Sequence, residues 1–321
     1  MGMTCSVRRS VAVIPAVLVA AASFLIPAIC SAAFPGRDGR IAYSRCLDAP
    51  VGPGCIRWAI MSVPSGGGAA RRIGTGYAPR WSADGAHIVS MASRPWSLRI
   101  TPAGGTGFRN VRVVGIGFGA KFPRFPEWLP NGRDIAFVST RSSTSVGGEY
   151  RVVLGEQPSA RAHFVAQLTG ALSPNGRRIA FSRVDREPAG LITVVGVARL
   201  AGTGVRDLVR MPDLGLGHAF PKPARIDWSP DGRRLVFDGD GISVMNVDGS
   251  GFRKIAQSGG SPAWSPDGRR IVFTGFTGTL TEASRSNEVV TMKADGTDQR
   301  VVVRDDWGVG RPDWQPLRTR P

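Results

Sequence analysis

The chain has 321 residues, and its 41 basic and 24 acidic residues give a formal net charge of +17. This length allows one large core in a single all-β domain. The three scattered histidines disfavour a histidine-based metal centre, and the charge lacks the aromatic-interleaved basic stripe typical of nucleic-acid binding. The predominance of arginine suits carboxylate or phosphate partners, although the base composition of the gene would also produce it.

The first predicted element is a secretory signal peptide at residues 1–33. Two arginines precede an apolar run at 11–29, and small residues follow at 31–33. Cleavage after Ala33 predicts a mature domain at 34–321 that is exported to the periplasm, the cell envelope or the medium and has no integral membrane span. An uncleaved membrane anchor is the alternative.

The next feature is a pair of cysteines, Cys46 and Cys55, separated by a short loop rich in glycine and proline. Export permits their oxidation, so we predict one disulfide. Closing so short a loop stabilises a fold by about 2.5–3 kcal/mol on the chain-entropy model. Two free thiols are the alternative.

A phrase of about a dozen residues then recurs along the chain. Its fullest copies are 226–237 and 262–273, where Trp-Ser-Pro-Asp-Gly-Arg-Arg precedes an apolar strand. Looser copies lie at 79–89, 126–137 and 171–181, and half-copies lie at 36–43 and 312–316. Neighbouring copies are 36 to 56 residues apart, which is typical of four-stranded propeller blades.

Each copy predicts four strands, A to D. Strand A carries the tryptophan, Ser-Pro-Asp-Gly turns into strand B, and a later Asp-Gly turns strand C into strand D. In one full copy, strand C is predicted at 242–247 and strand D at 252–255. We expect the tryptophans of strand A to pack between blades; they are Trp81, Trp128, Trp228, Trp264 and Trp314.

The two half-copies complement each other. Residues 36–43 begin a set of strands B, C and D, and the segment around Trp314 supplies the missing strand A. Together they predict an all-β fold, a six-bladed β-propeller of four-stranded antiparallel blades closed by the C-terminal strand. We expect a monomer.

The Trp-Ser-Pro-Asp-Gly turn, the apolar strand after it and the Met-Asn-Val-Asp-Gly turn at 245–249 resemble the TolB-like propeller family. The resemblance covers nearly all of 34–321 and implies the propeller fold. Family members include periplasmic adaptors, lyases and the propeller portions of peptidases, so no single activity follows. The N-terminal α/β domain of TolB is expected to be missing, because the first blade begins beside the predicted cleavage site.

Enzymatic motifs are missing from the sequence. There is no Gly-x-Ser-x-Gly elbow, and the turns lack the later tryptophan of sialidase Asp boxes. The segments 238–241 and 246–249 lack the full oxygen-ligand series of a calcium loop, and we interpret them as turns. The sequence therefore assigns no catalytic residue, no cofactor and no metal site.

The predicted B-to-C and D-to-A connections are long and variable and share one side of the fold, which is where binding sites usually lie. They carry aromatic and cationic residues together, a combination suited to a protein or an anionic polymer. The candidate binding residues are Tyr77, Phe118, Lys121, Phe122, Arg124, His218, Phe220, Lys222, Arg304 and Trp307. The alternative is that these aromatics only hold the loops onto the blades.

Two functions follow as hypotheses. The first is a non-catalytic module that binds a protein or an anionic envelope polymer on the variable-loop side. The second is a propeller lyase or lactonase for acidic sugars, with His218, Arg124 and Asp305 as its polar cluster. On the opposite side, we interpret the arginines after the turns as solvated or paired with aspartate; they are Arg133, Arg177, Arg178, Arg233, Arg234, Arg269 and Arg270.

Overall fold

The computed structural model describes residues 33–48, 55–92, 97–114, 122–140, 149–153, 159–166, 170–188, 190–200, 202–212, 224–276 and 286–318. Within these ranges the regular structure consists of strands joined by turns, without a helix. Over the same ranges, a helix suited to crossing a membrane is therefore also absent.

The strands form six groups of four, which we call units one to six. Unit one has β1 (Arg37–Cys46), β2 (Trp58–Pro64), β3 (Arg71–Thr75) and the last strand, β24 (Val309–Leu317). Unit two has β4 (Tyr77–Trp81), β5 (His87–Ala92), β6 (Ser97–Pro102) and β7 (Arg109–Val114). Unit three has β8 (Phe122–Trp128), β9 (Ile135–Thr140), β10 (Glu149–Val153) and β11 (Ser159–Ala166).

The remaining units follow in chain order. Unit four has β12 (Gly170–Leu172), β13 (Arg178–Glu187), β14 (Gly190–Arg199) and β15 (Arg206–Pro212). Unit five has β16 (Ile226–Trp228), β17 (Arg234–Gly239), β18 (Gly241–Asn246) and β19 (Arg253–Ala256). Unit six has β20 (Gly260–Trp264), β21 (Arg270–Gly275), β22 (Glu288–Lys293) and β23 (Arg300–Arg304).

Within each unit, neighbouring strands pair antiparallel, as the repeat predicts. Units one, four, five and six are separate four-stranded sheets. Units two and three form one eight-stranded sheet, because their outer strands β7 and β11 pair in parallel, with Ser159 opposite Arg112. The repeat pattern does not predict this junction, since it describes each unit singly.

The Ser-Pro-Asp-Gly turns fold as their residue types dictate. In unit six the Ser265 hydroxyl donates to the Asp267 carboxylate at 2.6 Å and accepts the Arg270 N–H at 2.9 Å. The Gly268 N–H donates to the Ser265 carbonyl at 2.9 Å, and its φ of 70° lies in the left-handed region that glycine adopts without strain. Each turn therefore delivers strand B beside strand A in the same register.

The tryptophans of strand A are buried, each at most 8% exposed. Trp228 packs with Ala171 and Val195 of unit four and with Leu235 of its own unit. Its indole N–H donates to the Ala171 carbonyl at 2.9 Å. The predicted packing of these tryptophans between neighbouring units is confirmed at this position.

The last strand completes the first sheet, whose order is β24-β1-β2-β3. β24 pairs antiparallel with β1 and places Trp314 opposite Ile41 and Asp313 opposite Ala42. The two half-copies of the repeat therefore lie in one four-stranded sheet.

Cys46 and Cys55 form the predicted disulfide, with their Cα atoms 5.8 Å apart. The Asp48 carboxylate accepts the Arg57 Nε–H at 2.7 Å and the backbone N–H groups of Arg57 at 2.6 Å and Ile56 at 2.7 Å, and these hydrogen bonds, the side-chain one first, lower the pKa of Asp48. The disulfide and the hydrogen bonds of Asp48 therefore both hold this loop.

Replacing both cysteines with serine is expected to lower the free energy of unfolding by about 2.5–3 kcal/mol, because the unfolded chain regains the entropy of the opened loop. Urea titration of the oxidised protein and the double variant measures the difference. Adding a reductant should bring the wild type to the stability of the variant and leave the variant unchanged. Equal stability of the oxidised wild type and the double variant would contradict the expectation.

Candidate functional site

We call strand A of each unit its inner strand, and the position of its tryptophan, which Leu172 occupies in unit four, the marker position. The inner strands of neighbouring units are linked by acidic residues that directly precede this position. The Asp313 carboxylate of unit one accepts the Trp81 N–H of unit two at 2.7 Å. Likewise, Glu127 of unit three accepts the Leu172 N–H at 3.1 Å, and Asp227 of unit five accepts the Trp264 N–H at 2.7 Å. Alternate units therefore carry the acid.

Arg80 occupies the same repeat position in unit two and lies among these acids. Its guanidinium is 3.0 Å from the Asp313 carboxylate and 3.8 Å from the Glu127 carboxylate. We call Arg80, Glu127, Asp227 and Asp313 the axial cluster. Burial acts to lower the pKa of Arg80, but Asp313 and Glu127 raise it above its ordinary value.

Burial also affects two carboxyls of the axial cluster, those of Asp227 and Asp313. Desolvation raises the pKa of Asp227 to about 7, against the opposing effect of Arg80, and it also raises the pKa of Asp313. The cluster thus joins the inner strands and holds one cation among three acids. Among the described residues, the trio close enough to share a metal ion is Cys46, Asp48 and Cys55, whose thiols are already oxidised to the disulfide.

Three residues before the marker position, the inner strands make the same irregular step. Ala78, Ser261 and Arg311 have φ values of 55°, 51° and 47°, which are rare for residues with a side chain. The Ala78 N–H donates to the Ser44 hydroxyl at 3.0 Å, and the Ser261 N–H donates to the Asp238 carboxylate at 2.8 Å. These bonds to neighbouring strands stabilise the strained backbone at the variable-loop ends of the inner strands.

An aromatic and cationic group forms at these strand ends. The Arg311 Nε–H donates to the Tyr77 hydroxyl at 3.1 Å, and the Trp58 and Tyr77 rings lie 4.8 Å apart. Arg225 lies close enough to feel the charge of Arg311: burial, and then Arg311, lower the pKa of Arg225 to about 9. We call Trp58, Tyr77, Arg225 and Arg311 the mouth group.

The connection from β23 to β24 lies on the same side and exposes a tryptophan. The Trp307 side chain is 39% exposed, and its N–H donates to the Asp305 carboxylate at 3.0 Å. Arg304 donates twice to one oxygen of the buried Glu288, at 2.9 and 2.7 Å, and Asp305 pairs with Arg45. The charged neighbours hold the loop and leave the Trp307 ring facing solvent.

The structure places only part of the predicted binding set. On the variable-loop side lie Tyr77, Arg304 and Trp307. Strand β8 contains Phe122 and Arg124. The other predicted residues lie outside the described ranges; they are Phe118, Lys121, His218, Phe220 and Lys222. The grouping of the full set stays a prediction.

Sequence reasoning missed three members of the mouth group, namely Trp58, Arg225 and Arg311. Arg225 and Arg311 share the repeat position three residues before the marker tryptophan. Aligning the copies beyond the Trp-Ser-Pro-Asp-Gly phrase would have singled them out. Trp58 begins a strand C and carries no such signal.

The start of the described chain contacts two different cores. Phe34 is 6% exposed and packs with Val89 and Trp128 of units two and three, whereas Ala33 packs with Trp264 of unit six. Two adjacent residues therefore connect the core of units two and three with the core that contains Trp264.

No protein-family model and no curated protein matches this sequence. The fold is similar to TolB from Acinetobacter baumannii, at 17% identity and a TM-score of 0.62 over 87% of this chain and 67% of that one. It is similar to a putative TolB from Agrobacterium tumefaciens, at 16% identity and a TM-score of 0.54 over 88% of this chain and 100% of that one.

A hypothetical selenium-binding protein from Sulfolobus tokodaii is a third similar structure, at 11% identity and a TM-score of 0.51 over 89% of this chain and 97% of that one. At these identities the likeness concerns the fold alone. The strand order, the repeat and these neighbours agree, and the chain has the TolB-like β-propeller fold.

Proposed function

We propose that the six units close into a ring, as the blades of one propeller around a central channel. Support comes from the hydrogen bonds that link units one to two, three to four and five to six through Asp313, Glu127 and Asp227. The indoles of Trp128 and Trp228 link units two to three and four to five. The Gly36 N–H of unit one donates to the Pro266 carbonyl of unit six at 3.1 Å.

The chain is further proposed to be exported and cleaved after Ala33. The Cys46–Cys55 disulfide supports an oxidising compartment. Phe34 would then begin the mature protein, and its burial in the core of units two and three would hold that end in place. The protein would then function outside the cytoplasm.

The function that the geometry supports best is non-catalytic docking of a protein segment on the variable-loop side. The observation that carries it is the exposed Trp307 ring beside a fold whose nearby charges are already paired, as Arg304–Glu288 and Arg45–Asp305 are. Exposed tryptophans on rigid surfaces are the residues that most often dominate protein binding. The mouth group supplies a second aromatic and cationic patch on that side.

The lyase or lactonase hypothesis finds less support in the described residues. Its proposed acid, Asp305, pairs with Arg45 and accepts the Trp307 N–H, which fits a loop-holding role. Its other proposed members, the side chains of His218 and Arg124, lie outside what the structure describes. The hypothesis keeps its own test, which is turnover of an acidic oligosaccharide and its loss in His218→Ala.

Trp307→Ala is expected to weaken partner binding at least tenfold with little change in stability, because an exposed anchor is removed and no core is opened. The mature protein captures partners from a cell-envelope extract, and mass spectrometry identifies the retained protein. That partner is then purified, and its affinity for the wild type and for Trp307→Ala is measured by titration. Phe252→Ala is the control, since Phe252 is also exposed but follows a C-to-D turn on the opposite side. Equal binding by wild type and Trp307→Ala, or retention of polysaccharide alone, would contradict protein docking at this loop.

A further inference from the structure

A basic groove opens on the side of the A-to-B and C-to-D turns, between units five and six. Its volume is about 510 Å³, and five cationic side chains line it; they are Arg234, Arg253, Arg269, Arg270 and Lys293. Two carboxylates, Asp267 and Asp295, also line it, and Ala294 is its one apolar lining residue. The groove is therefore open, polar and positively charged.

The repeat explains why one of these arginines is available. Arg234 and Arg270 begin strand B of units five and six, and Arg270 pairs with the Asp298 carboxylate at 2.8 Å. The residue that aligns with Asp298 in unit five is Gly251. Without that partner, the Arg234 guanidinium lies over the Trp264 ring, 4.5 Å from its centre, at the wall of the groove.

Lys293 is a second departure from the repeat. It aligns with the neutral Asn246 of unit five, and it stands directly opposite Arg270 in the pairing of β21 with β22. Like charges opposite each other destabilise a sheet, so Lys293 does not contribute to the fold through this pair. In the described part of the chain, no carboxylate lies within ion-pair distance of Lys293, Arg234 or Arg253.

The two carboxylates of the groove are occupied in building turns. Asp267 accepts the Ser265 hydroxyl at 2.6 Å and the Arg269 N–H at 2.9 Å, and Asp295 accepts the Thr297 N–H at 2.9 Å and its hydroxyl at 2.6 Å. The Arg269 side chain is 86% exposed, and its Nε lies 4.0 Å from the Asp267 carboxylate, which is the outer limit of an ion pair. These acids offset the five cations incompletely, since the Asp267 and Asp295 carboxylates are hydrogen-bonded to other residues of their own turns.

We propose that this groove binds a linear polymer of phosphate groups. The cations come from strands β17, β19, β21 and β22 and from one turn, so they surround a space from several directions. A tetrahedral phosphate offers oxygens in several directions, whereas a carboxylate accepts hydrogen bonds in one plane. A protein partner would find no pocket for an apolar anchor there, because Ala294 is the only apolar residue in the lining.

This groove is independent of the proposed docking of a protein at Trp307. Its residues belong to A-to-B and C-to-D turns and the strand ends beside them, whereas Trp307 belongs to a D-to-A connection at the other end of the strands. Failure of one proposal therefore leaves the other standing. Partner capture through Trp307 should persist in every groove variant.

The test uses the mature protein with its disulfide and medium-chain inorganic polyphosphate as the probe. The triple variant Arg234→Gln, Arg253→Gln, Lys293→Gln is expected to bind it at least about tenfold more weakly, with a salt slope of log K smaller by about two. The matched control is Arg177→Gln, Arg178→Gln, Arg199→Gln in unit four, where Arg178 and Arg199 also face each other across two strands. That control removes the same charge and should change the affinity less than about threefold.

Three results, besides the orthophosphate comparison below, would overturn the proposal. They are equal losses in the two triple variants, equally tight binding of polygalacturonate, which carries carboxylates, and equally tight binding of vesicles rich in phosphatidylglycerol. Orthophosphate should bind far more weakly than the polymer, and binding of equal strength would also contradict a polymer site. Unchanged thermal unfolding of the variants separates lost binding from lost folding.

Discussion

Asp313→Ala is expected to destabilise the protein by about 3–5 kcal/mol. The Asp313 carboxylate accepts the N–H of the buried Trp81 at 2.7 Å and pairs with the Arg80 guanidinium at 3.0 Å, and the Asp313 and Arg80 side chains are only 15% and 27% exposed. Its removal leaves a buried N–H without an acceptor and a largely shielded arginine with less compensation. Such losses cost more than an intact pair contributes, because desolvation of the remaining charge is no longer offset.

Urea unfolding at neutral pH measures this change, with Asp306→Ala as the control. Asp306 is exposed and lies in the loop before β24, so the same change of charge there should stay within about 0.5 kcal/mol. Asp313→Asn keeps an acceptor for the Trp81 N–H and should fall between the two. A loss below about 1 kcal/mol in Asp313→Ala would show that the link between units one and two contributes little.

Asp227→Asn is expected to change how stability depends on pH. Burial raises the pKa of Asp227 to about 7, so the folded state favours the protonated carboxyl. The stability that this provides is fully present below the ordinary aspartate value near 4 and is lost as the pH rises to about 7. Asparagine stays neutral and can still accept the Trp264 N–H, so the variant should be more stable than the wild type above about pH 7, by a few kcal/mol.

The free energy of unfolding of both proteins, measured from about pH 4 to about pH 8, tests this expectation, and the two curves should converge at the acid end. Asp231→Asn is a control with the opposite sign. Hydrogen bonds from Ser229 and Arg233 lower the pKa of Asp231 despite its partial burial, so its contribution is present above the ordinary value and lost in acid. Parallel curves for Asp227→Asn and the wild type would contradict the raised pKa.

The strand order could be predicted from the sequence because each copy of the repeat contains residues that mark where its strands begin and end. Trp228 and Trp264 mark inner strands, the Gly232 and Gly268 turns fix where strand B begins, and the structure has both where expected. The half-copies indicated the sheet that β24 shares with β1. The short loop between two cysteines, in a chain predicted to be exported, indicated the disulfide.

The polar sites were harder to predict, because they depend on which units are neighbours. Arg80, Glu127 and Asp313 are far apart in sequence and form a cluster only when the inner strands of units one, two and three meet. The basic groove forms where unit five has Gly251 and unit six has Asp298. The pattern that all copies share does not show this difference between two of them. The parallel pairing of β7 with β11 joins the outer strands of two units, and the repeat describes each unit singly.

The sheet that joins β24 to β1 has a consequence for biogenesis. A ribosome releases β1 roughly 270 residues before β24, so the inner edge of that sheet stays unpaired until synthesis is almost complete. An open strand edge is prone to pairing with other chains. We therefore expect chaperones that prevent aggregation to bind the incomplete polypeptide. Loss of even the last dozen residues, including Trp314, should therefore act as a folding defect of the whole molecule.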